Sequence, residues 1–402
     1  MKILHIISSR GWGGAENSAI YLAKKQIERG HKSVFFIHSL NKKMRFLLEN
    51  NGVPYYKVFD PERKNIFAIK RTIDICKKEN IDIIHTHLGT GNYVGVLAGN
   101  YLNIPVLSTI NIFSGYPYYA SADKLCFSGA ALKDYFVKYF SKEEYKNYKP
   151  AYIEKIINNI FGFKYSPKGI GEIEGKMDIA FERIDENRFI DYSHTANVND
   201  DETFYNRFKN FFNIGITGRV TEQKGQIYFV KAAELLLKEK NSDVLRHSKP
   251  LMFHIVGSGN DEKKLKKMVR KIGTPSSFMF WGYQSDVRKF ISMFDIAVSC
   301  SLNEPLGINN LEYMFMKKPC IATNAGGIPE VYGDTNIIIP PKDEVRLKEA
   351  VETYIANPKY MKEEAFKGFE RAGRLFRSDI SVDKVISMYE DIIKRPPVVT
   401  KI

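Results

Sequence analysis

The chain has 402 residues, a net charge of +14, 44% hydrophobic and 26% charged residues. That length exceeds one ordinary core and calls for two domains, and the balance is that of a soluble globular enzyme. Its four cysteines (Cys76, Cys126, Cys300, Cys320) lie far apart with no Cys-x-x-Cys, which argues against a disulfide framework or a zinc cluster and fits a reducing cytoplasm.

"MKILHIISSR" is too short an apolar run for a signal peptide, and no segment reaches the roughly 20 apolar residues of a membrane span. The positive charge admits plain solubility, an anionic small ligand, an anionic membrane surface or nucleic acid. With no arginine-rich tract, zinc-finger spacing or recognition module, nucleic acid is the weakest of these.

In chain order, "KILHIIS" reads as a buried strand. "AENSAIYLAKKQIERG" reads as a helix ended by Gly30. "SVFFIHS", "IDIIHTHL" and "IPVLSTI" are further strands, with helices "IFAIKRTIDICKKEN" and "YVGVLAGNYLN" between them. Strand-helix-strand repetition at this spacing predicts a parallel sheet covered on both faces. The text from about Asp134 to Asp201 is less regular, and "SHTANVNDDETFYNRF" has the polar, acidic character of a linker.

A second series starts at "FFNIGITGRV" and continues through "IYFVKAAELLLKEK", "LMFHIVGSG", "DEKKLKKMVRKIG", "FMFWG", "VRKFISMFDIAVSCS", "PCIATNAGG" and "TNIIIPP", ending in the helix "VDKVISMYEDIIKR". Two Rossmann-like halves are the simplest account.

Ligands of such folds bind where strand ends meet helix starts. "SSRGWGGAEN" offers Gly11, Gly13 and Gly14 there, although the spacing is not that of a dehydrogenase fingerprint. "GITGRVTEQKGQ" places Arg219 and Lys224 in one loop after a strand. Taken alone they read as solvated surface cations. Facing a diphosphate, Arg219 would bind bidentately and Lys224 as a point charge. Gly257 in "VGSGND" and Gly282 and Tyr283 in "FWGYQSD" mark the next two strand ends; Tyr283 flanks a base or packs at the surface.

"NEPLGINNLE" sets Glu304 and Glu312 around a glycine turn. A helix starting at Leu306-Gly307-Ile308 would offer unpaired N–H groups to a phosphate. Eight residues of helix would span ~12 Å, the reach from a sugar past two phosphates to a ribose. Both acids could accept hydrogen bonds from vicinal hydroxyls. Residues 133–168 interleave lysine with Tyr and Phe, which suits either inward-packing helices or a surface meeting anionic lipid.

These motifs, in this order and spacing, resemble the retaining glycosyltransferases of family 4, over nearly the whole chain. "GWGGAE" is similar to the family's glycine loop, "GRVTEQKG" to its phosphate clamp and "VGSG" to its glycine turn. "EPLGINNLE" resembles the family's Glu, seven residues, Glu motif, and "TNAGGIPEV" the segment after it.

The resemblance implies an α/β GT-B fold, two Rossmann-like domains facing each other across a cleft. The first would cover 1–200, with a C-terminal helix from about 380 to 402 packing back on it, and the second 208–378. It implies a donor diphosphate held by Arg219 and Lys224, and sugar hydroxyls at Glu304. Backbone N–H groups of Leu306, Gly307 and Ile308 would serve sugar and phosphate, and Glu312 the ribose. Gly13 and Gly14 would approach the phosphates from the other domain, with Glu16 starting the helix beneath them. Gly257, Gly282 and Tyr283 complete the donor set.

Asn111 in "VLSTINIF" stands where many relatives have a histidine. It can bond a sugar hydroxyl but cannot take up a proton at neutral pH. His85 and His87 end a strand, and further ligands for a metal are not evident, so no metal or other cofactor is expected.

The expected activity is metal-independent, retaining transfer from a nucleotide sugar, UDP favoured, to a hydroxyl of a glycan or lipid-linked glycan in cell-surface polysaccharide synthesis. A cytoplasmic place is expected, with peripheral contact to an anionic membrane at its inner face and no nucleic acid. The alternatives are a catalytically silent GT-B scaffold and a GT-B epimerase; a phosphorylase would need a much longer chain.

Overall fold

The computed structural model describes residues 1–58, 65–142, 145, 148–165, 170–195, 202–239, 243–246 and 248–394. Contacts divide the chain into two units. One is Met1–Ile184 together with the segment from Ser378; the other is Asp185–Arg377.

The first runs β1 (Lys2–Ile7), α1 (Gly14–Glu28), β2 (Lys32–His38), α2 (Lys42–Asn50), β3 (Tyr55–Val58), α3 (Ile66–Glu79), β4 (Ile83–His87), α4 (Gly89–Leu102), β5 (Val106–Ile110), β6 (Lys124–Phe127), α5 (Ala130–Phe140), α6 (Tyr152–Ile160), α7 (Ile170–Glu174) and β7 (Met177–Ile179). The second runs α8 (Glu186–Thr195), α9 (Glu202–Phe208), β8 (Phe212–Thr217), α10 (Gln226–Lys238), α11 (Asp243–Arg246), β9 (Leu251–Val256), α12 (Glu262–Lys271), β10 (Phe278–Gly282), α13 (Arg288–Met293), β11 (Ile296–Ser299), α14 (Ile308–Phe315), β12 (Cys320–Thr323), α15 (Ile328–Tyr332), β13 (Ile337–Ile339), α16 (Glu344–Ala356) and α17 (Pro358–Leu375). A last helix, α18 (Ser378–Ile393), belongs to the first unit.

In the first unit seven parallel strands lie in the order β3-β2-β1-β4-β5-β6-β7. The strands read as continuous apolar runs because both faces are covered. Leu4, Ile6 and Ile84 join the core formed with α3 and α4. On the other face Ile3, Ile83 and Leu107 meet Val382, Val385 and Met388 of α18. Asn41 and Asn65 start α2 and α3 by accepting from Met44 N and Ala68 N, each at 3.1 Å.

The second unit has six strands in the order β10-β9-β8-β11-β12-β13, also parallel. Both units are thus doubly wound α/β layers.

Three details differ from the sequence reading. β3, β6 and β7 were not anticipated; they are only three or four residues long, and Lys57, Lys124 and Asp178 break the apolar run that marks the equally short β11, β12 and β13. The first unit ends at Ile184 rather than near 200, because α8 packs on α13 and α14; residues 196–201 of the linker reading lie outside the described residues. Glu304 lies before α14 and Glu312 in its second turn, as the sequence indicates, but the ~12 Å helical span between them does not hold. α14 begins only at Ile308, behind Gly307 in a left-handed conformation with φ 90°, so a helical rise applies to only part of the span between them.

Among the described residues no helix is long and apolar enough to cross a membrane. All four cysteines are buried and free.

Candidate active site

In the second unit the strand order reverses between β8 and β11, the point where doubly wound sheets open a crevice at their carboxyl ends. Two loops leave there. Residues 218–225 follow β8 and carry Arg219 and Lys224; residues 300–307 follow β11 and carry Glu304 and Gly307.

The Lys224 ammonium donates to Glu304 Oε2. Ser301 Oγ donates to the same oxygen at 3.2 Å. The two charged side chains are only 17% and 12% exposed, so little water competes with the pair. Arg219 is exposed, with no ion-pair partner among the described residues. Its carbonyl accepts from Gln226 Nε2 at 2.8 Å.

Two glycines on neighbouring loops close against these two. A Cβ on Gly326 would sit 2.1 Å from the Glu304 carbonyl oxygen, and the residue holds φ +59°. The neighbouring Gly327 N donates to that carbonyl at 2.8 Å. The "AGG" turn after β12 therefore fixes the backbone of Glu304. Gly257 has φ +140°, and a Cβ there would lie 1.9 Å from Gly218 O. Its N–H donates to Gly282 O at 2.8 Å. Gly218, Gly257 and Gly282 thus line adjacent strand ends, and a Cβ on Gly218 would lie 4.0 Å from Lys224 Cε.

Gly307 caps α14, with Leu306 fully buried before it and Ile308 as the first helical residue. The first N–H groups of this eight-residue helix have no partner within it. Glu312, in its second turn, is half-buried. Burial pushes its carboxyl up to about 7, against the pull of Lys224. Tyr283 is 62% exposed.

In the first unit the reversal lies between β1 and β4. Asn41 Nδ2 holds the loop after β1 through Gly11 O at 2.6 Å and Ser9 O at 3.1 Å. Gly13 caps α1 with φ −163°, an extended backbone open to any residue. A Cβ there would meet only Glu16 Oε2, at 3.4 Å. Gly13 and Gly14 therefore leave room rather than make a turn. Asn111 directly follows β5, is 7% exposed, and its Oδ1 has no hydrogen-bond partner among the described residues.

His85 and His87 have a neighbour that the sequence did not pair with them. His5 on β1 sits opposite His85, and ligand atoms of the three lie within 4.8 Å of one another. Both nitrogens of His5 and of His85, and one of His87, are already hydrogen-bonded. His5 bonds His87 at 3.1 Å and Gln26 at 2.9 Å; His85 bonds Tyr389 at 2.6 Å and Thr109 at 2.7 Å.

The His85 and His87 rings stack at 4.1 Å, so their in-plane lone pairs run side by side instead of converging. The group does not fit a metal and reads as a buried hydrogen-bond network. Burial lowers His5 to about 4 and holds His85 and His87 well below the usual histidine range, with Arg183 adding to each effect.

Of the residues named from sequence, the second unit brings together Lys224, Glu304, Gly307, Ile308, Gly257, Gly282 and Glu312. Gly13, Gly14 and Asn111 stand at strand ends of the first unit. Ser301, Gln223, Gln226 and Gly326 were missed. Only Ser301 carried a signal, the Ser-x-x-Glu spacing to Glu304.

Two family profiles match the chain: "Glycosyltransferase Family 4" over residues 12–140 and "Glycosyl transferases group 1" over 199–368. The chain belongs to the family 4 glycosyltransferases of GT-B fold. It is similar to N-acetyl-alpha-D-glucosaminyl L-malate synthase of Bacillus anthracis, 20% identical over 95% of each chain. It is also similar to alpha-D-kanosaminyltransferase of Streptomyces kanamyceticus, 25% identical, but that match spans only 44% of each chain.

Among solved structures it resembles HepE of Anabaena in complex with UDP, with TM-score 0.75, 17% identity, and 97% and 100% of the two chains covered. A glycosyltransferase of Rickettsia africae gives TM-score 0.76 at 19% identity, over 98% and 99%.

Proposed function

We propose that the chain transfers a sugar from a nucleotide donor, with UDP favoured, to a hydroxyl of a glycan or lipid-linked glycan, retaining the anomeric configuration and using no metal. The observation that carries this reading is the Lys224–Glu304 pair at the β8/β11 reversal, beside the start of α14 and within electrostatic range of Glu312. The UDP held by HepE supports the choice of nucleotide.

The chemistry follows from charge. As the anomeric C–O bond breaks, its electron pair passes to the β-phosphate oxygen. Arg219, Lys224 and the dipole of α14 stabilise that growing charge, the type of interaction that is often the largest in catalysis. The acceptor oxygen bonds to the anomeric carbon on the face the leaving group vacates, and its proton passes to the departing phosphate. Glu304 binds the sugar hydroxyls and Glu312 the ribose. Leu306, Gly307 and Ile308 offer backbone N–H groups. Gly13, Gly14 and Asn111 keep the donor-side roles that the resemblance implies.

The test is release of nucleoside diphosphate from a panel of sugar donors, with and without glycan acceptors. Release with transfer supports the reading. Interconversion of the sugar without an acceptor would mark an epimerase, and binding without turnover a silent scaffold.

A second reading concerns an anionic membrane surface. α6 turns Ile153, Ile156 and Ile160 to solvent, 38%, 37% and 55% exposed. The exposed Lys149, Lys155 and Lys164 flank them. Such a stripe suits the headgroup boundary of an anionic bilayer. Parent protein should co-sediment with anionic vesicles at low salt, and Ile156→Ser/Ile160→Ser should not. Equal sedimentation of both would remove this reading and leave the enzyme assignment intact.

A further inference from the structure

The two loops at the β8/β11 reversal are joined by a residue of "GRVTEQKG" whose role the sequence does not reveal. Gln223 lies one position before Lys224, and its side chain is exposed. Its amide Nε2 donates to the carbonyl of Asn303 at 2.9 Å, one position before Glu304. Its backbone carbonyl accepts from Leu302 N at 2.8 Å. Beneath it Gly225 leaves no room for a side chain, since a Cβ would fall 2.0 Å from Cys300 O. Gln226 closes the other end of the same loop on the Arg219 carbonyl.

We propose that Gln223 is a positioning residue: it staples the loop of Lys224 to the loop of Glu304, and so presets the ammonium for charge that appears only as the diphosphate departs. The inference rests on the transferase reading above. A free loop would have to order its lysine during the reaction, whereas a stapled loop carries no such reorganisation. Because Lys224 is already paired with Glu304, a neutral-sugar donor gains little from the staple. The leaving diphosphate, with one more negative charge, gains more. The signature is therefore a fall in kcat and in affinity for product, with donor KM nearly unchanged.

Three variants test this, all at an exposed side chain. Gln223→Met keeps the length and removes the donor. Gln223→Lys restores an N–H donor of similar reach. Gln223→Glu sets an acceptor against the Asn303 carbonyl. Melting temperature, kcat and KM for nucleoside diphosphate release, and affinity for UDP, GDP, ADP, TDP and pyrophosphate are measured on each.

Gln223→Met should lower kcat and product affinity roughly three- to tenfold, as expected for one hydrogen bond, without lowering the melting temperature. Gln223→Lys should recover most of the loss, and Gln223→Glu should fall below Met. Equal behaviour of Met and Lys, whether both intact or both impaired, overturns the proposal.

If the parent binds a diphosphate but turns nothing over, the transferase reading fails. The order of affinities then judges the staple alone: parent and Lys above Met above Glu supports it, and a flat series sinks it. A parent that binds none of these ligands removes the staple's purpose together with the reading.

Discussion

Lowering the pH from 7.5 to 5.5 should destabilise the first unit by up to about 4 kcal/mol, through three buried histidines. His5, His85 and His87 are almost fully buried, and each is held neutral there, His5 down to about 4 and the others well below 6.5. In the unfolded chain each has a pKa near 6.5. Below that value the unfolded state takes up protons that the folded state refuses. The folded state is therefore fully favoured above about pH 7 and loses stability as pH falls towards the depressed folded values. Each site contributes on the order of 1 kcal/mol over this window, and three give about 4 at most, a large share of the roughly 5–15 kcal/mol that holds a typical domain.

The second unit carries opposing effects: His254 is lowered to about 3, while Glu312 is raised to about 7. The measurement should therefore follow the first unit alone. The chain has two tryptophans; Trp12 lies in the first unit and Trp281 in the second. Urea unfolding of a Trp281→Phe background, followed by Trp12 fluorescence at several pH values, isolates the transition. His87→Gln should remove about a third of the shift. A loss under about 1 kcal/mol, or proton uptake of less than one per unfolding event, would refute the neutral buried cluster.

Glu312 gives a second pH effect with a different readout. Its carboxyl must be ionised to accept from both ribose hydroxyls, so affinity for UDP should fall as pH drops below about 7, and Glu312→Gln should flatten that dependence in calorimetric titrations. Lys224→Ala removes a cation facing the leaving group and should cost about 2.7–4 kcal/mol in kcat, by analogy with the loss of one oxyanion donor; a loss under tenfold would place Lys224 outside the transition state. Gly326→Ala forces a Cβ onto the Glu304 carbonyl. It should cut turnover at least tenfold while urea unfolding shifts by about 1–3 kcal/mol, the usual range for a single substitution.

The elements with a clear period were legible from sequence alone. β1, β2, β4 and β5 stand out as apolar runs, and α3 and α10 as apolar stripes. β6 and β7 were not legible, since Lys124 and Asp178 interrupt strands of only four and three residues. α9 (Glu202–Phe208) fell inside the linker reading, and α8 inside the less regular stretch before it, because seven and ten residues rich in polar side chains show little apolar period.

At the site, the acids and cations could be named because charge beside glycine is unusual at a strand end. Their geometry could not. That Gly326 serves the Glu304 carbonyl depends on a contact between segments over twenty residues apart. His5 was invisible for the same reason: it meets His85 only through the pairing of β1 with β4.

The return of α18 to the first unit has a consequence for how the protein comes off the ribosome. The face of the sheet that α1 and α2 cover over Ile7, Phe35 and Ile37 stays only partly covered over Ile3, Ile83 and Leu107 until Val382, Val385 and Met388 emerge, after about 190 intervening residues. At roughly 5–20 residues per second that delay is on the order of 10–40 s. Through that interval Ile3, Ile83 and Leu107 lack their apolar cover, and His85 and Gln26 lack the Tyr389 hydroxyl. The nascent first half is a client for chaperones until the final helix closes it.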